Sequence, residues 1–263
     1  MIKSLRVVIL GSGTSHGIPM IGCSCPVCTS DNPHDKRTRT SIVVEADSRF
    51  ILIDASPELR LQCLACKITR IDAVLFTHYH ADHVVGLDDL RRFNYLQDTT
   101  LTCYGDKATV AELKKMFSYA FNEKPGYPSE KPHLESMVID GAFDLFGIHI
   151  LPIPLFHGEL PILGFRFGPF AYCTDCSRIP PSSFKLLEDL EVLVLDGLRR
   201  RVHPTHFNLA QAVRAARQIG AGRTYFTHIT HELPHETTNA ELPPGMGLAY
   251  DGQVIEFPNL AVR

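Results

Sequence analysis

Residues 73–83 read AVLFTHYHADH, an apolar run that leads directly into three histidines and one aspartate. The segment supplies four potential metal ligands: His78, His80, Asp82 and His83. Imidazole nitrogens and carboxylate oxygens at this density are typical of sites for divalent transition metals. In an extended turn, residues two apart face the same way, so His78 and His80 can share one ion while Asp82 and His83 point towards a second. The alternative, a polar surface loop, does not explain the density.

One loop cannot complete two coordination shells, so further ligands are expected where other apolar runs end. His157 follows ILPIPLF, Asp175 follows FAYCT, and His228 follows RTYFT. In α/β sheets, ligands collect at the carboxyl ends of strands, which makes this shared placement informative. We expect His157 to complete the first metal site, His228 to complete the second, and Asp175 to bridge both ions. Asp54, at the end of the run FILID, is expected to orient a ligand or the turn.

Short apolar runs alternate with segments of helical spacing along most of the chain. SIVVEA at 41–46 is typical of the strands, and NLAQAVRAARQIG at 208–220 is typical of the helices. This alternation indicates an α/β fold. From about Ser136 to Asp175 the runs follow one another without a helix, which predicts an antiparallel meander. We expect one domain over residues 1–263, because the composition can form a large core and no linker or repeat interrupts it.

The bulk composition narrows the classes of partner. The chain has 263 residues, a net charge of −3 and a charged fraction of 21%. It offers no broad cationic surface for a nucleic-acid backbone, so a long nucleic acid is not an expected partner. No stretch approaches the ~18 apolar residues that span a bilayer, and the first apolar run is too short for a signal peptide. We therefore expect a cytoplasmic protein whose eight cysteines are free thiols or metal ligands.

Three of these cysteines lie in one loop. Cys23, Cys25 and Cys28 form the pattern C-x-C-x-x-C, and the loop has no amphipathic period that would bury them as small hydrophobic residues. Three thiolates leave a tetrahedral zinc ion one ligand short. We expect a zinc-binding loop near residues 22–28, with unligated buried cysteines as the alternative.

Other cysteines and histidines are interpreted without a ligand role. Cys63 and Cys66 share one face of a predicted helix, which favours core packing over a redox pair. Cys173 and Cys176 flank Asp175 and receive no role. Two single histidines are interpreted as a polar strand position and a surface residue: His149 and His34.

With these motifs, the sequence resembles the metallo-β-lactamase superfamily. HxHxDH, a preceding strand–aspartate motif, and later His, Asp and His ligands occur in the superfamily's order, and the resemblance runs nearly end to end. Within it, the branch of phosphoribosyl 1,2-cyclic phosphate phosphodiesterases is the most similar. The segments that carry this are GSGTSHGIPMIGCSCPVC at 11–28, HPTHFNLAQAV at 203–213, and FTHITHELPHE at 226–236 running on to LPPGMGLAYDG. The resemblance implies an αββα sandwich of two mixed β-sheets flanked by helices.

The resemblance also implies roles for residues that the pattern alone leaves open. It gives His231 as the fourth ligand of a structural zinc, and His206 as the general acid that protonates the leaving alkoxide. His203 is close enough in sequence to substitute for His206. The loop Gly11–His16 is expected either to hold phosphate oxygens or to form a tight turn after the first strand. His235 is a further, unassigned candidate at the rim of the active site.

The implied activity is a metal-dependent phosphodiesterase. Its substrate would be a small cyclic phosphodiester, phosphoribosyl 1,2-cyclic phosphate-like or a cyclic nucleotide, attacked by a hydroxide that bridges two divalent ions. Asp82 and Asp175 would be the catalytic carboxylates. The cofactors would be two active-site Zn or Mn ions and one structural Zn, since the ligands suit several metals alike. Members of the family are often homodimers.

Three other activities are considered. A tRNA 3′-processing endonuclease of the same superfamily carries a long basic, glycine-rich arm, which is not found in this sequence. A non-catalytic accessory protein, as in the branch related to pyrroloquinoline quinone biosynthesis, would lack one or more active-site ligands, and none is missing here. A β-lactamase is disfavoured because Asp175 stands in place of a cysteine.

Overall fold

The computed structural model describes residues 2–122 and 130–257. The described residues form fourteen strands: β1 Leu5–Gly11, β2 Ser41–Ala46, β3 Arg49–Ile53, β4 Ala73–Leu75, β5 Leu101–Gly105, β6 Leu134–Val138, β7 Phe143–Leu145, β8 Ile148–His157, β9 Leu160–Phe167, β10 Phe170–Cys173, β11 Val192–Asp196, β12 Arg223–Thr227, β13 Met246–Leu248 and β14 Val254–Glu256.

The same residues form eight α-helices: α1 Leu59–Cys66, α2 Ala81–Val84, α3 Arg91–Gln97, α4 Lys107–Met116, α5 Ser118–Phe121, α6 Pro181–Phe184, α7 Leu209–Ile219 and α8 His235–Glu241. Three short 3₁₀ segments add to these: Pro33–Asp35, Val85–Leu90 and Lys185–Leu187. Among the described residues, no helix combines the length and the apolar character that crossing a membrane requires.

The chain divides into two compact units, and each unit is built on one sheet. Unit A comprises Ile2–Leu10, Ser41–Asp140 and the segment from Val254 onward. Its seven strands lie in the order β14-β1-β2-β3-β4-β5-β6. The pairs β14–β1 and β2–β3 are antiparallel, whereas β3 to β6 run parallel to one another. The sheet of unit A is therefore mixed.

Helices cover the core of unit A. Leu59 and Cys63 of α1, Phe93 of α3 and Leu113 of α4 are buried in one apolar cluster with strand residues such as Val74. Burial of apolar area at about 25 cal/mol per Å² is the main stabilising contribution in such a cluster. Parallel strands need crossover connections, and these helices supply them.

Unit B comprises Gly11–Thr40 and Gly141–Gln253. Its seven strands lie in the order β13-β12-β11-β10-β9-β8-β7. Strands β7 to β10 form an antiparallel meander, and β10 to β13 run parallel. Helix α7 begins with a capping box between Asn208 and Gln211 and ends at Gly220, whose φ of 74° is the left-handed conformation that glycine adopts freely. The helix packs its alanines into the core of this unit.

Two mixed sheets with flanking helices define the metallo-β-lactamase fold, so the expected fold class is confirmed. The expected meander was wrong at its start. Strand β6 is not part of it, because β6 pairs in parallel with β5 at the edge of the other sheet. The apolar run alone could not reveal this, since pairing partners are set by long-range register rather than by local pattern. The single-domain assignment over residues 1–263 stays a prediction.

Candidate metal centres

The HxHxDH segment of unit A leaves β4 and enters the short helix α2. The ring of His78 lies 4.2 Å from that of His83 and 4.5 Å from that of His80, measured between centroids. His78 and His83 are buried, while His80 and Asp82 are partly exposed. The backbone N–H of His83 donates to the carbonyl of His80 at 3.0 Å, which closes the turn. Three imidazoles and a carboxylate are therefore gathered at the end of a central strand.

Hydrogen bonds to the carboxylate of Asp54 hold this turn in place. Its carboxylate accepts bonds from the backbone N–H of Thr77 at 2.8 Å, from the Thr77 hydroxyl at 2.9 Å, and lies 2.8 Å from Nδ1 of His83. Complete burial raises the pKa of Asp54, and His83 opposes that rise. Because Nδ1 of His83 faces the carboxylate, Nε2 is the nitrogen left facing the other way, 3.5 Å from Asp82 Oδ2. A carboxylate behind a ligating imidazole sets its tautomer and orientation, which is the role expected for Asp54.

Gly86 allows the chain to pass close to this turn. A Cβ atom at Gly86 would lie 1.9 Å from the carbonyl oxygen of Ser56. The N–H of Gly86 donates to the carbonyl of Ala55 at 2.9 Å, and the N–H of Ala55 donates to the carbonyl of His83 at 2.7 Å. The close approach thus belongs to the same hydrogen-bonded loop as the histidines, and only glycine fits there.

In unit B, three candidate ligands stand where strands end. His157 is the last residue of β8, while Asp175 and His228 follow β10 and β12. Oδ2 of Asp175 lies 3.3 Å from Nε2 of His228. Nδ1 of His157 lies 2.7 Å from the carbonyl oxygen of Thr205, and since a carbonyl only accepts, Nδ1 is the protonated nitrogen. Burial lowers the pKa of His157, against the opposing effect of Asp175. A neutral imidazole held in this tautomer is the ligating form.

His206 belongs to this cluster. Its Nδ1 lies 3.0 Å from Oδ2 of Asp196, and its ring stacks on that of His228 at 4.6 Å and 11°. Potential ligand atoms of His157, Asp175 and His206 all lie within 4.8 Å of one another.

His203 lies next to this group, with its ring centroid 5.1 Å from that of His206. Burial is the main cause that lowers the pKa of His203, and the neighbouring His206 lowers it further. Nδ1 of His203 accepts from the N–H of Thr205 at 3.3 Å, and within the described part of the chain no carboxylate pairs with it as Asp196 pairs with His206.

Asp196 and Thr77 are residues that the sequence analysis missed. Asp196 is completely buried and also accepts a bond from the N–H of Phe207 at 3.1 Å. Burial raises its pKa well above the usual value, and His228 opposes this. The signal was present, because Asp196 ends the run VLVLD just as Asp175 follows FAYCT. Thr77 carried no comparable signal.

Three of the residues at strand ends have a left-handed backbone. The φ angles of Asp54, Asp175 and His228 are 63°, 55° and 59°. This region is unfavourable for residues with a Cβ, and such conformations concentrate at functional sites where the surrounding structure holds them. At each of these positions, the left-handed backbone changes the direction of the side chain where the strand ends.

The loop after β1 is a tight turn. Ser12 donates to Asp251 Oδ1 through its N–H at 2.9 Å and its hydroxyl at 2.8 Å. The N–H groups of Gly13 and Thr14 donate to the carbonyls of Thr38 at 2.8 Å and Ile229 at 3.1 Å. These amides therefore already have protein acceptors. Of the two alternatives for this loop, these hydrogen bonds favour the tight turn, and Ser15 and His16 at its tip are exposed.

The three loop cysteines surround one histidine. Their sulfur atoms lie 3.3, 3.5 and 3.6 Å from Nδ1 of His231, in the order Cys23, Cys25, Cys28. The N–H of Cys28 lowers the pKa of Cys25, whereas burial raises the pKa of Cys28 to about 11. A thiol of such high pKa becomes a thiolate readily only when a cation is bound. The four atoms fit a closed tetrahedral zinc site.

The side chains without an expected ligand role mostly agree with that interpretation. Cys63 is buried in the core of unit A, and Cys173 and Cys176 are completely buried in unit B. His149 is exposed, 3.1 Å from Asp144. His34 is partly exposed, as expected for a surface residue, and its ring also contacts the rings of His235 and Tyr250.

Comparison with known proteins gives the family. A β-lactamase superfamily domain matches residues 49–229, and the chain belongs to this superfamily. A solved structure described as a new diphosphatase from the PhnP family is 44% identical, covers 96% of this chain and 98% of that chain, and has a TM-score of 0.90. Sequence and structure thus agree that the chain has the metallo-β-lactamase fold of this superfamily.

Two curated relatives extend the comparison. Coenzyme PQQ synthesis protein B of Methylobacterium sp. (strain 4-46) is 36% identical over 94% of this chain and 98% of that protein. An octanoyltransferase of Porphyromonas gingivalis (strain ATCC BAA-308 / W83) is 39% identical over 94% of this chain. This chain spans 51% of the length of that second relative.

Proposed function

We propose that the protein is a binuclear metal-dependent phosphodiesterase that hydrolyses a small cyclic phosphodiester. The observation that carries this proposal is the cluster of His157, Asp175 and His206, in which Asp196 lies behind His206. The cluster offers atoms that can ligate a metal ion and an imidazole that a carboxylate orients. A hydrolase that uses a metal ion and a general acid needs both kinds of group. The 44% identity to a diphosphatase supports phosphorus as the centre that is attacked.

The ions would be held by two sets of residues. They are the predicted ligands His78, His80, Asp82 and His83 on the one hand, and His157, Asp175 and His228 on the other. When bound, two divalent ions polarise phosphoryl oxygens and lower the pKa of water. The donor set suits zinc and manganese alike. Asp54 would hold His83 in its ligating orientation, and the carbonyl of Thr205 would do the same for His157.

His206 is our candidate for the group that protonates the leaving oxygen. Asp196 accepts a hydrogen bond from Nδ1 of His206, so the proton for the leaving oxygen would come from Nε2 of His206. A carboxylate next to an imidazole stabilises the imidazolium form, as the aspartate of a catalytic triad does. Among the described residues, His203 has no such carboxylate partner, and burial lowers its pKa. Of the two histidines, His206 is therefore the proposed general acid.

A second candidate substrate is a small diphosphate, because the 44% identical relative is described as a diphosphatase. The phosphorus of a phosphodiester carries two bridging oxygens, and so does an esterified phosphorus of a diphosphate. The same residues could act on either, and the shape of the substrate would decide.

Two other activities serve as outcomes of the test. The PQQ relative supports a non-catalytic accessory role, in which the purified protein would turn over no phosphodiester. Cleavage of precursor tRNA would indicate a processing endonuclease. The octanoyltransferase activity is not proposed, because a match to half of that relative does not assign its activity to the matching half. A structural zinc at the cysteine cluster, a homodimer and a cytoplasmic location stay predictions.

The test is an activity screen on the purified chain with Zn²⁺ or Mn²⁺ added. Bis(p-nitrophenyl) phosphate should be hydrolysed, and Asp175→Ala should abolish turnover while the fold, measured by circular dichroism, is retained. The panel should contain cyclic ribose phosphates, 2′,3′-cyclic nucleotides, dinucleoside diphosphates and precursor tRNA. Preference for a cyclic phosphodiester supports the proposal. Unchanged turnover in Asp175→Ala, or no turnover of any phosphodiester by metal-loaded protein, overturns it.

A further inference from the structure

A third group of metal-ligand side chains lies in unit B, outside the sites described above. His34, in the short helix Pro33–Asp35, faces His235 and Glu236, the first two residues of α8. One potential ligand atom from each of the three residues lies within 4.8 Å of the other two. Nδ1 of His34 is 3.7 Å from Oε1 of Glu236, and the two imidazole rings are 4.6 Å apart. The proposed phosphodiesterase reaction uses none of these side chains.

The two histidines carry polar atoms for which the described residues supply no hydrogen-bond partner. His235 is only 5% exposed, and its Nδ1 is buried without a hydrogen-bond partner. Nδ1 of His34 is also buried and has no hydrogen bond, apart from its longer approach to Glu236. A buried polar atom without a partner destabilises the folded protein, because it has given up its hydrogen bonds to water. Such groups in a native structure call for an explanation, and the binding of an ion is one of the recognised ones.

The backbone that carries these ligands is held in place by a buried ion pair. The guanidinium of Arg37, 1% exposed, donates to the carbonyls of Thr230 at 2.9 Å and Leu233 at 2.7 Å. It also pairs with Asp35 at 3.2 Å, and Asp35 accepts the N–H of His235 at 2.9 Å. The loop before α8 and the loop around His34 are thus joined on the protein side of the ligands. A site whose ligands are fixed before the ion arrives loses little entropy on binding.

We propose that His34, His235 and Glu236 form a separate site for a divalent transition-metal ion. Two imidazoles and one carboxylate are borderline donors that suit Zn²⁺, Mn²⁺, Fe²⁺ and Ni²⁺. Mg²⁺ and Ca²⁺ prefer oxygen donors alone and are poor fits. The carboxylate of Glu236 is 72% exposed, so the ion would reach the site from solvent and keep positions open to water.

This site differs from the cysteine cluster in chemistry. The cluster of Cys23, Cys25, Cys28 and His231 offers three sulfur atoms, which favour zinc strongly. The His34 site offers only nitrogen and oxygen, so it should exchange its ion more easily. Both sites tie the segment before β2 to the segment after β12.

The competing explanation is ring packing alone. The ring of Tyr250 lies 4.1 Å from that of His34 and 5.7 Å from that of His235, and three rings in contact need no ion. Under that explanation, substitutions here would change stability without changing metal content.

Counting the zinc ions bound per chain distinguishes a metal site from ring packing alone. Protein saturated with Zn²⁺ and then desalted is assayed by mass spectrometry for zinc per chain, for wild type, Glu236→Gln and His34→Gln. We expect both variants to hold one zinc fewer than wild type or to bind it at least ~10-fold more weakly. Zinc released by a thiol-specific reagent, which reports the cysteine cluster, should not change. The matched control is His149→Gln, since His149 is exposed and also lies beside a carboxylate.

Two outcomes overturn the proposal. One is equal zinc content and affinity in wild type, Glu236→Gln and His34→Gln. The other is the absence of an anomalous peak among the three side chains in a crystal of wild-type protein grown with Zn²⁺, collected at the zinc edge. Because Glu236 is exposed, Glu236→Gln should fold even where a histidine variant does not. Failure of the phosphodiesterase screen would leave both readouts unaffected.

Discussion

Nδ1 of His206 lies 3.0 Å from Oδ2 of Asp196, and the same arrangement joins His83 to Asp54 at 2.8 Å. Both aspartates are completely buried, and each comes at the end of a strand or directly after one. In both pairs, the carboxylate accepts a hydrogen bond from Nδ1 of the histidine. Nε2 of the imidazole therefore faces away from the aspartate. Each unit therefore positions a histidine with a buried carboxylate.

Asp196→Asn should reduce kcat on bis(p-nitrophenyl) phosphate by roughly 10–100-fold. An amide cannot stabilise the imidazolium form of His206 as a carboxylate does, so proton delivery to the leaving oxygen is impaired. KM should change little, since Asp196 is not expected to touch substrate. Steady-state kinetics measure both constants. Asp144→Asn is the control, because that carboxylate pairs with an exposed histidine. Equal kcat in Asp196→Asn and wild type would remove His206 from the mechanism.

Asp54→Asn should weaken metal binding in unit A by about 10–100-fold. The amide oxygen can still accept from Thr77, so the turn should persist, while His83 loses the acceptor that fixes its tautomer. Competition with a chromophoric chelator measures the affinity. Asp140→Asn is a control, because Asp140 is exposed in the same unit. An Asp54→Asn protein with wild-type metal affinity would show that the carboxylate serves the fold alone.

Gly86→Ala should destabilise the protein by about 1–3 kcal/mol or more. The added Cβ would lie 1.9 Å from the carbonyl oxygen of Ser56, which is backbone and cannot move as a flexible side chain would. Urea unfolding measures the loss. In Gly247→Ala, where the nearest heavy atom is 3.4 Å from the new Cβ, the free energy of unfolding should change far less. Equal stability of the two variants would show that the loop relaxes without cost.

The local elements of the fold could be read from the sequence. The strands at 41–46 and 101–105 and the helix that starts after Asn208 coincide with apolar runs and capping residues. Side chains placed after apolar runs also came out at strand ends, because a strand stops where its apolar pattern stops. These signals depend on residues that are neighbours in the sequence, so long-range contacts in the folded protein change them little.

What the sequence did not reveal depends on long-range pairing. Strand β6 joins the sheet of unit A through β5, and no residue of β6 itself indicates its partner. Asp251 holds Ser12 and Thr38 across more than two hundred positions, so the occupied amides of the glycine loop could not be foreseen. Asp196 could have been found, because it follows an apolar run as Asp175 does.

Cys25→Ser should release about one zinc per chain and lower the free energy of unfolding by about 3 kcal/mol at zinc concentrations near 100 times Kd. A hydroxyl is a poor substitute for the thiolate that lies 3.5 Å from His231. Metal analysis and thermal melts measure the two effects. Cys66→Ser, in helix α1, is the control that removes a thiol without touching the cluster. Full zinc content in Cys25→Ser would contradict a zinc site at the cysteine cluster.

The stability contributed by Cys63 should fall at alkaline pH. Burial in the core raises the pKa of this thiol from 9.0 to about 12. A pKa raised by folding stabilises the protein fully below the unfolded value, and this stabilisation is lost as the pH rises from 9 towards 12. By one and a half pH units above the unfolded value, the loss approaches about 2 kcal/mol.

Cys63→Ala removes this titration. Wild type should therefore be more stable than the variant at pH 8, and the difference should shrink or reverse near pH ~10.5, as measured by urea unfolding at both pH values. Leu64→Ala is the matched control, because it shortens a neighbouring but exposed side chain that does not titrate, and its difference from wild type should not depend on pH. If the Cys63→Ala difference is also constant, the thiol is not held protonated by the core, and its interpretation as a packed, unreactive residue fails.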